Sequence, residues 1–417
     1  MATLRGLPPT IPFRRPASGR SGGGPWSALT LATVGHAAGS FAMLAVAPLA
    51  PLLLDALHLT RAQVGLLLPA AYLGGVLMAL PAGWVTDWLG VRYTLGLGLV
   101  LIGAMVGAGA AAATFPALLA CLVVGGFGFS VLNPATGKAI VDWFPPRRRG
   151  AAMGIKQTGL TLGGVAASLA LPPIAARFDW QDALVIGGCV AVVTGVVVML
   201  VYRRPPVAAA PSPPSRPRVV EAMAYLRRPG VVLVFVCGFL LSIAQSSLLG
   251  FLSLYARETF AFSAVAAGQL LAFAQVGGTA GRLAWGFVSD RWFGGRRRPG
   301  IVLNALLGAV SYAVLSFGPR LPDDLLMPLA LVAGIGAFGW VGLYFALVAE
   351  IGGPRHAGVL TGLSVIFSWS GVLVGPPLFG VIVQMTDSYV APWLVLAGIG
   401  LVVAAVLPWP SPLVDRD

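Results

Sequence analysis

"GWVTDWLGVR" (residues 83–92) and "GFVSDRWFGGRR" (286–297) are two versions of one charged, glycine-bounded turn, each placed directly after an apolar run. Gly83 and Gly286 are 203 residues apart, as are Asp87 and Asp290. Other positions repeat in the same order. Gly150 and Gly154 return as Gly358 and Gly362 at an offset of 208, Asp142 returns as Glu350 at 208, and Pro172 and Pro173 return as Pro376 and Pro377 at 204. Any one pair is unremarkable in a glycine-rich chain. The ordered set, with offsets that drift only by short insertions and deletions, reads as an internal duplication.

The surrounding composition decides what was duplicated. The 417 residues are 57% hydrophobic and 10% charged, with a mean hydropathy of +0.87, whereas a soluble domain carries about 25% charged residues. Crossing a hydrocarbon core of ~30 Å takes ~20 apolar residues as helix. Twelve runs of that kind fit, at roughly 27–54, 61–82, 92–113, 116–141, 149–174, 183–202, 229–255, 263–287, 299–318, 326–349, 357–384 and 390–409. No alternating ten-residue pattern appears, which argues against a β-barrel. The fold class expected is an all-α membrane protein, its twelve transmembrane helices forming two pseudo-symmetric six-helix bundles.

The net charge of +13 points to topology rather than to nucleic acid. With the N-terminus inside, the tails and even-numbered loops hold twenty arginines, among them Arg92, Arg147, Arg148, Arg149, Arg203, Arg204, Arg296, Arg297 and Arg298. The other face holds Arg61, Arg177, Arg257 and Arg320. This is the positive-inside pattern. It implies a multi-pass protein of a bacterial-type inner membrane with both termini cytoplasmic. Residues 1–25 lack the apolar core of a signal peptide and read as a disordered tail. The proline-rich stretch "RRPPVAAAPSPPSRPRVV" from Arg203 cannot continue a helix. It separates a bundle at 26–203 from one at 229–410, with a linker at 204–228 and a tail at 411–417. Cys121, Cys189 and Cys237 fall inside apolar runs and read as small buried side chains.

Two parallel halves with a solute site between them describe an alternating-access carrier. Over residues 26–410 the chain resembles the major facilitator superfamily, whose hallmark is Gly-x-x-x-Asp-Arg-x-Gly-Arg-Arg after the second helix, echoed after the eighth. Gly83, Asp87, Gly90 and Arg92 fit the first copy, with Trp88 where an arginine is usual; Gly286, Asp290, Arg291, Gly294 or Gly295, and Arg296 fit the second. The resemblance implies a cytoplasmic gate. Asp87 would meet the start of helix 11 near Ala357, and Asp290 the start of helix 5 near Arg147, each in the opposite half. Asp142 with Arg149, and Glu350 with Arg355, would add a pair on each side. A plainer reading makes the turn a topology anchor, but arginines suffice for topology and the aspartates do not contribute to it.

Ionisable groups inside a bilayer are costly and usually functional. The candidates are His36, Lys138, Lys156 and Arg282, and the chain's only two lysines are among them. No Asp or Glu lies near the middle of any expected span. Cations without counter-acids imply that the substrate brings the negative charge. Arg282, in "GRLAWG", is similar to the helix-8 arginine that grips the carboxylate in monocarboxylate transporters and the oxalate:formate exchanger, within a wider resemblance to such anion carriers and to the cyanate type. The acid that those families carry one turn earlier is here Gly278. The competing reading has Arg282 snorkelling to the cytoplasm. Lys156 could reach the cavity from helix 5, while Lys138, nearer the edge, snorkels. His36 could titrate and couple protons, or be a hydrogen-bonded core residue. Gln157, Gln245, Gln275, Asn133, Tyr344 and Trp369 are candidate neutral lining.

Three function classes remain to be weighed. The first is a secondary transporter of small, carboxylate-like anions, moved with H+ or against a counter-anion. The second is a proton-coupled efflux carrier for drugs or other uncharged or cationic compounds. Against it, the helix-4 arginine of drug antiporters is absent from "CLVVGGFG", and the Gly-Pro signature of helix 5 is incomplete in "GLTLGGVAASLALPP". The third is an enzyme, for which no HExxH, GxSxG, CxxC or GxxxxGK[ST] is present. Neither a metal nor a cofactor is called for, and a monomer is expected.

Overall fold

A protein crossing hydrocarbon must satisfy every backbone N–H and C=O within itself, which leaves helix as the economical solution for apolar segments of this length. The computed structural model describes residues 24–203, 205, 225 and 227–407. The expected tails, apart from residues 24 and 25, and nearly all of the expected linker lie outside them. The described residues form twelve α-helices and no strand.

Helices α1 (Pro25–Met43) and α2 (Val46–Ala56) together make the first crossing. Helix α3 (Arg61–Ala110) holds crossings two and three, followed by α4 (Phe115–Trp143), α5 (Pro146–Arg177) and α6 (Trp180–Val201). In the second half, α7 (Pro229–Phe260), α8 (Ala264–Trp292) and α9 (Arg297–Leu315) are crossings seven to nine. Helix α10 (Asp323–Phe338) and the start of α11 (Trp340–Thr386) make crossing ten; the rest of α11 is crossing eleven, and α12 (Val390–Val406) is the last. Ten segments are long and apolar enough to span by themselves. Helix α12, at 17 residues, is short. Helix α8 is diluted by Gln269, Gln275, Thr279 and Arg282.

The duplicated turns are built by glycine. Within α3 the chain reverses at Gly90 (φ 75°, ψ 162°), and within α11 at Gly353 (φ 57°, ψ −172°), a region open essentially to glycine alone. Gly294 and Gly295 also have positive φ between α8 and α9. Gly83 and Gly286, which open the two motifs, lie within helices and face open space.

The halves meet through two symmetry-related contacts, crossing two of α3 against crossing eleven of α11, and α5 against α8; α2 adds a contact with α7. At the face opposite the arginine-rich loops the contact is tight: Gly65 lies against the backbone of Pro376, and Gly380 against that of Arg61. At the arginine-rich face Gly83, Gly150, Gly154, Gly286 and Gly362 have no neighbour within 4 Å of an added Cβ. The two bundles therefore touch at one end and gape at the other. Gly90→Ala should destabilise the fold by about 1–3 kcal/mol, whereas Gly83→Ala, helical and in open space, should be neutral or stabilising by up to ~1 kcal/mol. Thermal unfolding in detergent reads both, and an unshifted midpoint for Gly90→Ala would contradict the turn assignment.

Candidate functional site

Between the halves lies a cavity of about 610 Å³, open toward the arginine-rich face through Gly83, Gly154 and Gly362. Helical spacing sets its walls. Ser130 and Asn133 project from α4; Gln157, Thr158 and Thr161 from α5; Ser242 and Gln245 from α7; Thr279 and Arg282 from α8. Spacings of three or four, with Thr158 beside Gln157, keep each set to one side of its helix. Toward the closed end Tyr72 of α3 meets Trp369 of α11 edge-on, with ring centroids 5.5 Å apart, and Phe129 at 6.0 Å.

Five of the nine expected substrate contacts line this cavity: Arg282, Gln157, Gln245, Asn133 and Trp369. The other four do not. Gln275 is spent on the interface between halves, where Nε2 donates to Gly164 O (3.1 Å) and Ser168 Oγ (2.8 Å). Tyr344 is buried in the second half, edge-on to Trp340 and to Phe345. His36 is sealed inside the first half, 1% exposed. Lys156, 5% exposed, turns away from the cavity; Nζ donates to Asn133 Oδ1 (2.9 Å) and Thr136 Oγ1 (3.2 Å). Sequence reasoning missed Tyr72, Thr158, Thr161, Ser242 and Thr279. The signal was available, because four of them sit one position or one turn from a residue already singled out.

The electrostatics of the cavity are one-sided. Ser263 caps α8 by accepting from Ala266 N (3.2 Å), and five turns on Arg282 reaches the wall. Its Nε donates to Phe338 O (3.3 Å), and its guanidinium carbon lies 6.0 Å from the Phe338 ring centre. Its Nη1 is buried and has no hydrogen-bond partner among the described residues. The Nδ1 of the buried His36 is likewise without a hydrogen-bond partner among the described residues. Among the described residues no carboxylate lines the cavity, and none pairs with Arg282, Lys156 or His36.

The expected gate residues are arranged differently from the expectation. Asp87 pairs with Lys138 of its own half, which the sequence had left to snorkel. Arg92 donates through Nε to Met199 O of α6. Arg149 donates to Phe144 O and Val141 O (both 3.0 Å) and not to Asp142. In the second half Arg297, which the sequence reading passed over for Arg296, holds Asp290 (2.6 Å) and Glu350 (3.0 Å) together. Arg291 and Arg296 are exposed, and the side chain of Arg355 lies outside the described residues. All these pairs stay within one half because the two halves are apart at this face.

The opposite face carries the pairs that join the halves. A capping box between Thr60 and Gln63 starts α3 and sets Arg61 as its first residue. Arg61 reaches Glu258 (3.0 Å) and Asp387 (2.7 Å), and Arg257 reaches Asp55 (2.8 Å). Burial, with Glu258 beside it, pushes the Tyr389 phenol above its ordinary range, so its hydroxyl stays protonated and donates to Glu258 Oε2 (2.7 Å). One turn inward Ser253 donates across to Ala47 O (2.7 Å).

Two duplicated bundles around one cavity, latched at one face only, are matched by a family model, that of the Major Facilitator Superfamily, over residues 29–376. The chain belongs to the Major Facilitator Superfamily. Its relatives within the superfamily include an uncharacterised transporter of Mycobacterium tuberculosis, 28% identical over 91% of this chain and 85% of that one. They also include the hexuronate transporter of Bacillus subtilis (23%; 88% and 90%) and the membrane sensor protein UhpC of Escherichia coli (24%; 77% and 77%). The fold is that of a bacterial Spinster homologue (TM-score 0.75, 18% identity, 94% of this chain and 96% of that) and of the nucleoside transporter NupG (0.76, 16%, 91% and 98%). The chain is thus a multi-pass membrane transporter of a small solute and not an enzyme.

The latch has a direct consequence. Each exposed pair contributes about 0.2–1 kcal/mol, so Arg61→Gln with Arg257→Gln should loosen the closed face severalfold. The readout is labelling of Ser253→Cys by an impermeant maleimide, in a chain with its three native cysteines replaced. A labelling rate unchanged by the double substitution would contradict the latch.

Proposed function

We propose that this transporter carries a small organic anion, with Arg282 as the carboxylate clamp and alternating access as the mechanism. The observation that carries the reading is the buried, unpartnered Nη1 of Arg282 at the wall of a cavity without a carboxylate. A guanidinium in that position favours an oxyanion that can accept two charge-assisted hydrogen bonds. The first half supplies a complementary donor. Asn133 Oδ1 is occupied by the Lys156 ammonium, which leaves the Asn133 amide N–H groups for the cavity. Lys156 thus acts through Asn133 rather than by touching the solute. An anion bridging Asn133 and Arg282 would draw the halves together from within. The hexuronate transporter of Bacillus subtilis, whose named solute is a carboxylate, adds support.

In this reading closure at the arginine-rich face, which the positive-inside rule makes cytoplasmic, requires Asp87 and Asp290 to exchange Lys138 and Arg297 for helix starts of the opposite half. The latch around Arg61 opens at the same time. With no acid in the cavity to carry a proton, exchange against a second anion is the coupling that the site favours.

Arg282→Lys keeps the charge and loses the fork, so KM should rise about tenfold; Arg282→Ala should approach a hundredfold, the equivalent of roughly 1.5–3 kcal/mol for a charged hydrogen bond. Uptake of radiolabelled glucuronate, pyruvate and oxalate into proteoliposomes loaded with unlabelled anion measures this. Normal transport by folded Arg282→Ala, or transport of a cationic dye instead, would overturn the anion reading and favour an efflux carrier.

A further inference from the structure

A second cleft lies on the outside of the first half, at the arginine-rich face, where α3 meets the end of α6. Its volume is about 340 Å³, and Arg92, Tyr93, Leu200, Tyr202 and Arg203 line it. The transport cavity shares none of these residues. Arg92 is not free to wander: its Nε is tied to Met199 O and its guanidinium lies 5.4 Å from the Tyr93 ring centre, which leaves its terminal nitrogens for a ligand. Arg203 is exposed just past the last turn of α6. No acidic side chain lines the cleft, and neither arginine forms an ion pair among the described residues.

The wall that runs from the cleft into the membrane is apolar and open. Leu200 is 72% exposed, and Leu97, Val193, Val196 and Val197 are exposed beside it on α3 and α6. Arginines that merely set topology would snorkel independently into water. Here both line one concave cleft, with Arg92 pinned by its bond to Met199 O, next to an exposed apolar surface suited to acyl chains. The charge and the apolar wall together call for a ligand that is anionic at one end and hydrocarbon at the other. We propose that this cleft binds an anionic phospholipid, its phosphate held between Arg92 and Arg203 and its chains along α3 and α6. Basic pockets between helices at this membrane face suit such headgroups.

Native mass spectrometry of the purified full chain, titrated with phosphatidylglycerol or with phosphatidylcholine, tests the assignment. Arg92→Gln and Arg203→Gln should each weaken retention of one phosphatidylglycerol about fivefold, and the pair about thirtyfold. Arg148→Gln, which removes an exposed arginine elsewhere on the same face, should leave it unchanged. Arg203 lies beyond its helix, so its variant carries the test should loss of the Arg92–Met199 bond impair folding. Equal retention in wild type and both variants, or equal affinity for phosphatidylcholine, would overturn the site. Binding of soluble glycerol phosphate as tight as that of the lipid would make it a phosphate site and refute the lipid.

Discussion

A charge inside hydrocarbon must find a counter-charge, water or a polar cage, and most of the described ionisable groups follow that constraint. Among the described residues Asp87, Asp290, Glu350, Asp55, Glu258 and Asp387, toward the ends of the crossings, each meet a cation. Lys156 solves the problem with neutral oxygens, from Asn133 and from a Thr136 hydroxyl whose own proton goes to Leu132 O (2.7 Å). Arg282 solves it only in part, with one backbone carbonyl. The proposed preference for an anion rests on the remaining demand of its guanidinium.

The same constraint organises the two faces. Where the halves touch, the ion pairs run between them; where they part, the pairs fold back into each half. Asp87 on Lys138 and Asp290 on Arg297 are such same-half pairs; in the proposed cycle these are the partners that the two carboxylates would give up on closure. Surface pairs of this kind are individually weak, which would suit the proposed alternating access, whose two states must lie within a few kcal/mol of one another.

Much of the fold was legible because duplication and hydrophobic length are properties of the sequence alone. The turn at 83–92 and its echo gave away two bundles, and Gly90, Gly294 and Gly295 do adopt the positive φ that such turns demand. The α8 crossing was legible too, expected at 263–287 and found at Ala264–Trp292 despite its polar residues. Within the site, residue type and depth identified Arg282, Gln157 and Asn133, but not direction. Lys156 and Gln157 are adjacent, yet about 100° of helical rotation sends one behind α4 and the other into the cavity. Gln275 has the composition of a lining residue and the position of an interface bolt. His36 could not be placed by pattern, as a buried histidine and a cavity histidine look alike in a small-residue helix. Asp87 and Asp290 meet Lys138 and Arg297 of their own halves rather than the expected helix starts of the opposite half, because the halves lie apart at that face and sequence spacing does not report the distance between them.

The central claim is that the cavity prefers negative charge because Arg282 lacks a counter-ion. Isothermal titration calorimetry at pH 7 with carboxylates and their matching carboxamides (glucuronate, pyruvate and benzoate, each against its amide) tests it most directly. For whichever skeleton binds, the carboxylate should be at least tenfold tighter than its amide, as the loss of a charge-assisted bond demands. Equal affinity within every binding pair would contradict the account.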